Sequence, residues 1–267
     1  MAISKNIILK KHNEDTRVKL PAILHLIRLG YNYLSWKNEV INEDTNIFTD
    51  IFTKSIRRLN PNLSESDVNR FYDEISLCLE NEDLGKAFYN KLIDKSGIRM
   101  LDFENFENNT FNVVTELPCK KDEDEFRPDI TLLINGLPLA FIEVKKPNNR
   151  DGIIDEHRRM GKRNQNKKFR KFMNITQLMV FSNNMEYEDG SPHLFEGAFY
   201  TTASYHKPIF NYFREEEEFD LNTILSDVSD DVENLVLKDN NLISIKNSDE
   251  FATNKDPNSP TNRICTS

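Results

Sequence analysis

Cysteine is scarce in this chain of 267 residues: Cys78, Cys119 and Cys265 lie far apart, without CxxC or metal-ligand spacing. They form no disulfide framework and fit a reducing compartment. No run of about 18 apolar residues is present, and the opening MAISKNIILKKHNED lacks the apolar core of a secretion signal. A soluble, cytoplasmic protein without membrane association is expected. There is no Gly-rich phosphate loop and no GxxxxGK[ST], so no bound nucleotide is expected. His12, His25, His157, His193 and His206 show no HxxxH or HExxH spacing, which argues against a zinc site. Ser191 and Cys119 have no nucleophile context, and no internal repeat occurs.

What is present is a chain long enough for a substantial core, ordered as helices first and strands later. In VKLPAILHLIRL, Val18 to Leu29, the residues Leu20, Ile23, Leu24 and Ile27 share one helical stripe, with Gly30 at the expected end. Ser64 is placed to cap a helix carrying Val68, Phe71, Ile75 and Leu79, and another helix is expected from Leu84 to Asp94. Extended segments follow: TFNVVTEL, DITLLI, LAFIEVK, ITQLMVFS and GAFYTTASY, with a polar, helix-compatible stretch from Asp151 to about Lys171. The expected fold is α/β, a mixed central sheet flanked by helices with a helical N-terminal region. Residues 1–212 would form this domain. Residues 213–267, acidic and ending in DEFATNKDPNSPTNRICTS, read as a loosely packed segment and linker.

The formal charge of −9 averages two opposite regions. Lys145 to Lys171 holds eleven Lys and Arg against three acids, whereas Glu215 to Asp256 holds thirteen acids against three lysines. A polyanion responds to the local sign, so the basic stretch is a candidate nucleic-acid surface, a solvated helix face being the plainer alternative.

The stretch RPDITLLINGLPLAFIEVKKPNN, Arg127 to Asn149, is an apolar hairpin that nevertheless carries Asp129, Glu143 and Lys145. Residues two apart in a strand share a face, so Glu143 and Lys145 project together. A two-residue Asn135-Gly136 turn would set Asp129 opposite Ile142. A five-residue loop from Ile134 to Pro138 would set it opposite Glu143 and keep Pro138 out of the ladder. The longer loop is expected. Two acids and one lysine on a covered sheet leave a negative charge, which a hard divalent cation satisfies better than an ion pair alone.

Pro128-Asp129, then Glu143-Val144-Lys145 after thirteen residues, resembles the PD-(D/E)xK motif of restriction-endonuclease-like nucleases. The whole stretch is similar to the nuclease motif of the type I restriction enzyme R subunit. The early helix followed by LGYNYL agrees with that family. So does the closing DPNSPTNRICTS, which resembles the passage into the family's motor.

The resemblance implies Mg²⁺-dependent endonucleolytic cleavage of DNA, with Mn²⁺ as a substitute. It also implies methyltransferase and specificity subunits as partners of a longer protein. Asp129, Glu143 and the Val144 carbonyl would hold the metal, and Lys145 would orient or help deprotonate the water and stabilise charge. The family's QxxxY motif is matched by position at Gln165, with Phe169 in place of Tyr; an ordinary exposed glutamine is the equal alternative. DNA contacts are expected from Lys146, Arg158, Arg159, Lys162, Arg163, Lys167 and Lys168. The helix Val18 to Leu29 supplies no further acid, and Glu116, at the end of the strand before the hairpin, is a candidate acid toward the metal, an ordinary solvated strand-end residue being the plainer reading. The alternative function is a non-catalytic module of the same fold that docks DNA or partner subunits.

Overall fold

The computed structural model describes residues 14–146, 152–182, 198–201, 211–212 and 225–256. A π-helical turn, Asp15–Lys19, leads into α1, Leu20–Arg28, and the short strand β1, Asn32–Tyr33. Three helices follow: α2, Thr49–Leu59; α3, Glu65–Cys78; and α4, Lys86–Ile93. Ser64 caps α3 as expected, its hydroxyl accepting from the Asp67 N–H while Asp67 accepts from the Ser64 N–H.

The strands are β2, Phe111–Thr115; β3, Cys119–Lys121; β4, Asp124–Phe126; β5, Ile130–Ile134; and β6, Leu137–Val144. Helix α5, Gly152–Gln165, a 3-10 turn, Lys167–Phe169, and α6, Arg170–Ile175, lead to β7, Leu178–Ser182. Then come β8, Ala198–Thr201; β9, Asn211–Tyr212; α7, Asp230–Asp239; and α8, Asp249–Lys255.

Among the described residues one seven-stranded sheet runs β1-β2-β5-β6-β7-β8-β9. Strands β1 and β2 pair parallel, as do β6 and β7, and the remaining neighbours pair antiparallel. This is the expected mixed α/β core of the restriction-endonuclease-like class. Parallel β6 and β7 require a crossover, and α5 and α6 supply it.

Both faces of the sheet are covered, which explains its near-continuous apolar strands. On one face Val114, Leu133, Phe141, Met179 and Phe181 pack with Met160 of α5 and Phe172 and Met173 of α6. On the other, Val113, Ile130 and Ile142 pack with Leu20, Ile23 and Leu24 of α1, Val236 and Leu237 of α7 and Phe251 of α8. A third cluster joins α2, α3 and α4 to Leu137 and Leu139 at the start of β6.

Two expectations need correcting. The hairpin turn is the short one: Ile134 pairs with Leu137 and Leu133 with Pro138, and Asn135 and Gly136 have φ of 53° and 81°. These positive angles fit the primed turn that matches strand twist. The extra residue appears instead as a bulge, since Leu132 pairs with Ala140 and Ile130 with Ile142. Pro138 therefore enters the ladder. Leu139 is the additional residue, its carbonyl accepting from the Gln177 N–H at 2.7 Å.

The second correction concerns residues 225–256, which were expected to pack loosely. Val236, Leu237, Ile245 and Phe251 are buried, and Asn254 donates to the Thr16 carbonyl at 2.8 Å. The acids of α7 and α8 lie mainly in first turns, where they favour the helix dipole, and the apolar residues between them form the packing stripe. The run Glu215 to Glu218 and the closing residues 257–267 lie outside the described residues.

The turn offers a stability test. A Cβ on Gly136 would meet the Phe48 carbonyl oxygen and the Phe52 nitrogen, both at 2.7 Å. Gly136→Ala is expected to lower unfolding free energy by about 2 kcal/mol or more, from backbone strain and displaced α2 contacts together. Urea denaturation measures it, and a loss near zero would show that the hairpin tip moves freely.

Candidate active site

Past the bulge, continuing the β5–β6 register by one residue sets Asp129 opposite Glu143. Asp129 sits in the bend before β5, where its Oδ2 accepts the Val144 N–H at 2.8 Å. The Lys145 N–H continues the β6–β7 pairing by donating to the Ser182 carbonyl at 2.8 Å. The Lys145 Nζ turns back onto the Val144 carbonyl at 2.8 Å and lies 3.4 Å from Glu156 Oε2 of α5. Asp129, Glu143, Val144 and Lys145 therefore converge at one end of the sheet.

Glu143 is buried, and its Oε1 has no hydrogen-bond partner. Arg163 Nη1 approaches that atom at 3.6 Å, an electrostatic contact too long for a hydrogen bond. Arg163 also lies over the Phe126 ring, 4.7 Å from its centroid, and meets Glu156 Oε1 at 3.1 Å. Burial raises the Glu143 carboxyl well above its ordinary value, with Asp129 and Glu156 adding to the effect and Lys145 and Arg163 opposing it. Burial raises Asp129 too, partly offset by the Val144 N–H, Lys145 and Lys19. For Lys145, burial pulls the ammonium down, but Glu156 foremost, then Asp129, Glu14 and Glu143, leave it raised. The site thus holds a protonated lysine among carboxylates that resist ionising together.

These groups fit a hard cation through chemistry already present. Two carboxylates and a backbone carbonyl form an oxygen donor set, and the unpartnered, buried Glu143 oxygen is the group that would gain most from a cation. Among the described residues no group of three or more His, Cys, Asp or Glu side chains converges as a metal site. Water would therefore complete the coordination, as magnesium commonly allows.

The remaining expected residues are dispersed. Gln165 is exposed in the last turn of α5, about 13 Å along the axis from Glu156 by helical rise. Phe169 is buried edge-on against Phe126 at 4.8 Å, an apolar setting with no need of a hydroxyl. Lys146, Arg158, Lys162 and Lys167 are exposed, Arg158 pairing with Asp155 and Lys167 with Glu82. Arg159 is exposed and paired with Glu156, while Lys168 pairs with Asp122 and Asp124. Arg163 belongs to the interior of the site. Glu116, at φ 51°, is half-exposed and paired with the buried Lys19.

Sequence reasoning missed two acids. Glu14, directly before the π-helical turn, lies within electrostatic reach of Lys145 and Asp129. Burial first, then Asp129 and Asp15, raise its carboxyl, while Lys145 and the Lys146 N–H oppose this. Glu14 lies four residues before Val18, where the apolar helical stripe begins, so no periodicity marks it. Glu156 had a usable signal: Gly152, Glu156 and Met160, four apart, form the buried side of α5, so a carboxylate interrupts an inward-facing stripe.

The family model described as the type I restriction enzyme R protein N terminus matches residues 11–191. The MjaIXP type I restriction enzyme endonuclease subunit of Methanocaldococcus jannaschii is 29% identical over 211 residues, 68% of this chain and 20% of that protein. The type I restriction enzyme HindI endonuclease subunit of Haemophilus influenzae is 31% identical over 121 residues, 38% of this chain and 11% of that protein. The chain thus spans a fifth or less of the length of these curated relatives.

The raised Glu143 carboxyl sets a pH test. A group whose folded value lies above its ordinary 4.5 costs the native state nothing when both states are protonated, and its cost grows as pH rises toward the folded value. In metal-free buffer, Glu143→Gln is expected to be more stable than the parent at about pH 7, with the gap closing toward about pH 4. Thermal melts across that range measure it; no gap near neutrality would mean that Arg163 and Lys145 compensate the charge fully.

Proposed function

Because this chain belongs to the family of type I restriction enzyme R protein N-terminal regions, we propose that it is the unit that hydrolyses DNA phosphodiester bonds, in a magnesium-dependent reaction, within a restriction system. The single observation that carries this reading is the convergence of Asp129, Glu143 and Lys145 at the β5–β6 end, with one Glu143 oxygen buried and unpartnered. The relatives' designation as endonuclease subunits supports it.

Asp129 and Glu143, with the Val144 carbonyl, would hold Mg²⁺ or Mn²⁺. A cation bound there supplies Lewis-acid activation of a phosphate oxygen and a more acidic bound water. The Val144 N–H holds Asp129 through Oδ2, and the other carboxylate oxygen would be the one offered to the metal. Lys145 stays protonated among its acidic neighbours, so its part is to stabilise charge developing on the phosphate and not to remove a proton. With a cation bound, the ammonium would turn from the Val144 carbonyl toward the phosphate, and that oxygen would serve as a ligand. DNA would lie across the exposed side of α5 and the 3-10 turn, held through phosphates by Lys146, Arg158, Lys162, Lys167 and Lys168. Translocation and sequence reading would rest with a motor and with the methyltransferase and specificity subunits of the complex, so this chain should act weakly and indifferently to sequence.

A plasmid-nicking assay in millimolar Mg²⁺ tests the reading. Asp129→Ala, Glu143→Ala and Lys145→Ala are each expected to lower nicking by about 100-fold or more, as loss of a metal ligand or charge stabiliser does. Mg²⁺ or Mn²⁺ should also raise the melting temperature of the parent but not of Asp129→Ala. Undiminished nicking in any of the three variants would overturn the assignment. DNA affinity should fall steeply with salt, and joint replacement of Arg158, Lys162 and Lys167 by Ala should flatten that slope by about two to three units. An unaltered slope would make this side of α5 a solvated face.

A further inference from the structure

Glu156 is 1% exposed on α5, yet its two oxygens meet three cations. Oε1 receives Arg163 at 3.1 Å, and the same guanidinium nitrogen reaches toward Glu143 Oε1 at 3.6 Å. Oε2 receives Arg159 at 3.0 Å and Lys145 at 3.4 Å. One buried carboxylate therefore touches the lysine expected to act on the phosphate and the arginine beside a proposed metal ligand. Neither contact follows from strand spacing; both depend on α5 crossing this end of the sheet.

We infer that Glu156 is a positioning residue for DNA cleavage, anchoring Lys145 directly and Glu143 through Arg163. The inference rests on the endonuclease reading above. A lysine tip carries several free torsions, and a site that must present it to phosphate works faster when those torsions are restricted beforehand. In the metal-free site the Lys145 ammonium rests between the Val144 carbonyl, which a cation would claim, and the Glu156 carboxylate, which remains to hold it beside the phosphate. Arg163 is restrained likewise, between Glu156 and the face of Phe126. A carboxylate that only fastened α5 to the sheet would have no requirement to contact the motif lysine.

The test uses the whole chain with Glu156→Gln, which keeps size but removes charge, and Glu156→Asp, which keeps charge. Turnover in Mg²⁺-dependent nicking and DNA affinity are measured separately, and crystal structures of the metal-free proteins locate the Lys145 ammonium. Glu156→Gln is expected to cut turnover by about 10- to 100-fold, the usual consequence of losing a group that orients a metal-site side chain, with affinity nearly unchanged. Its Lys145 should leave the position on Val144 that the parent holds, and Glu156→Asp should recover much of the turnover. Equal turnover in the parent and Glu156→Gln, or a Lys145 that stays in place, overturns the inference while leaving the endonuclease reading intact. If the parent itself does not nick, that reading fails for this chain, and the position of Lys145 in the two crystals alone decides whether Glu156 anchors it. Should Glu156→Gln not fold, Glu156→Asp carries the same comparison, because the shorter side chain must draw Lys145 with it or lose it.

Discussion

Two carboxylates at one end of a covered sheet are the constraint on which the rest of this molecule turns. Burial raises Glu143 and Asp129, and their proximity raises Glu143 further, so neither is at ease as an anion beside the other. The chain answers with a backbone N–H on Asp129, an ammonium from Lys145 just past the end of β6, and a guanidinium from α5. One oxygen of Glu143 is still without a donor. A fold optimised for stability alone would be expected to fill that position with an apolar residue. A hard cation would give that oxygen the partner it lacks.

That arrangement depends on one extra residue in β6. The Asn135-Gly136 turn by itself would pair Asp129 with an inward residue of the opposite face, because a slip of one reverses every side chain of a strand. The bulge at Leu139 restores the parity, so the short turn and the facing carboxylates coexist. The turn is held independently: Asn135 is buried, donates through its side chain to the Met100 carbonyl and accepts the Thr110 N–H, both at 2.8 Å. Turn geometry and site geometry are therefore satisfied by different residues of the same hairpin.

The basic segment after the hairpin divides along the helix. Glu156 and Met160 face inward, and Arg163 is drawn into the site, whereas Arg158 and Lys162 face solvent. A charge sum over the segment treats these as one population, but burial separates a cation that balances the site's acids from cations that face solvent. The acidic C-terminal helices make the complementary point. Their acids lie mainly in first turns, and the few apolar residues between them are enough to place α7 and α8 against α1 and the sheet.

The order of helices and strands, the two-sided burial of the sheet, the Ser64 cap and the nearness of Asp129, Glu143 and Lys145 were legible in the sequence, since each rests on periodicity, on local spacing or on the register of one hairpin. The register near the site was legible as well, although through the wrong loop: a parity argument counts residues and cannot tell a long turn from a short turn with a bulge. The three-residue strands β3 and β4 carry too many charges for any alternating pattern to reveal them. Glu14 was beyond local reading, and the α5 stripe could mark Glu156 as inward-facing but not as part of the site, because what places both there is proximity across elements far apart in the chain. Electrostatic coupling falls with distance in space and takes no account of separation in sequence, so only the packing of the π-helical turn and of α5 against the end of β6 could decide which charges this site contains.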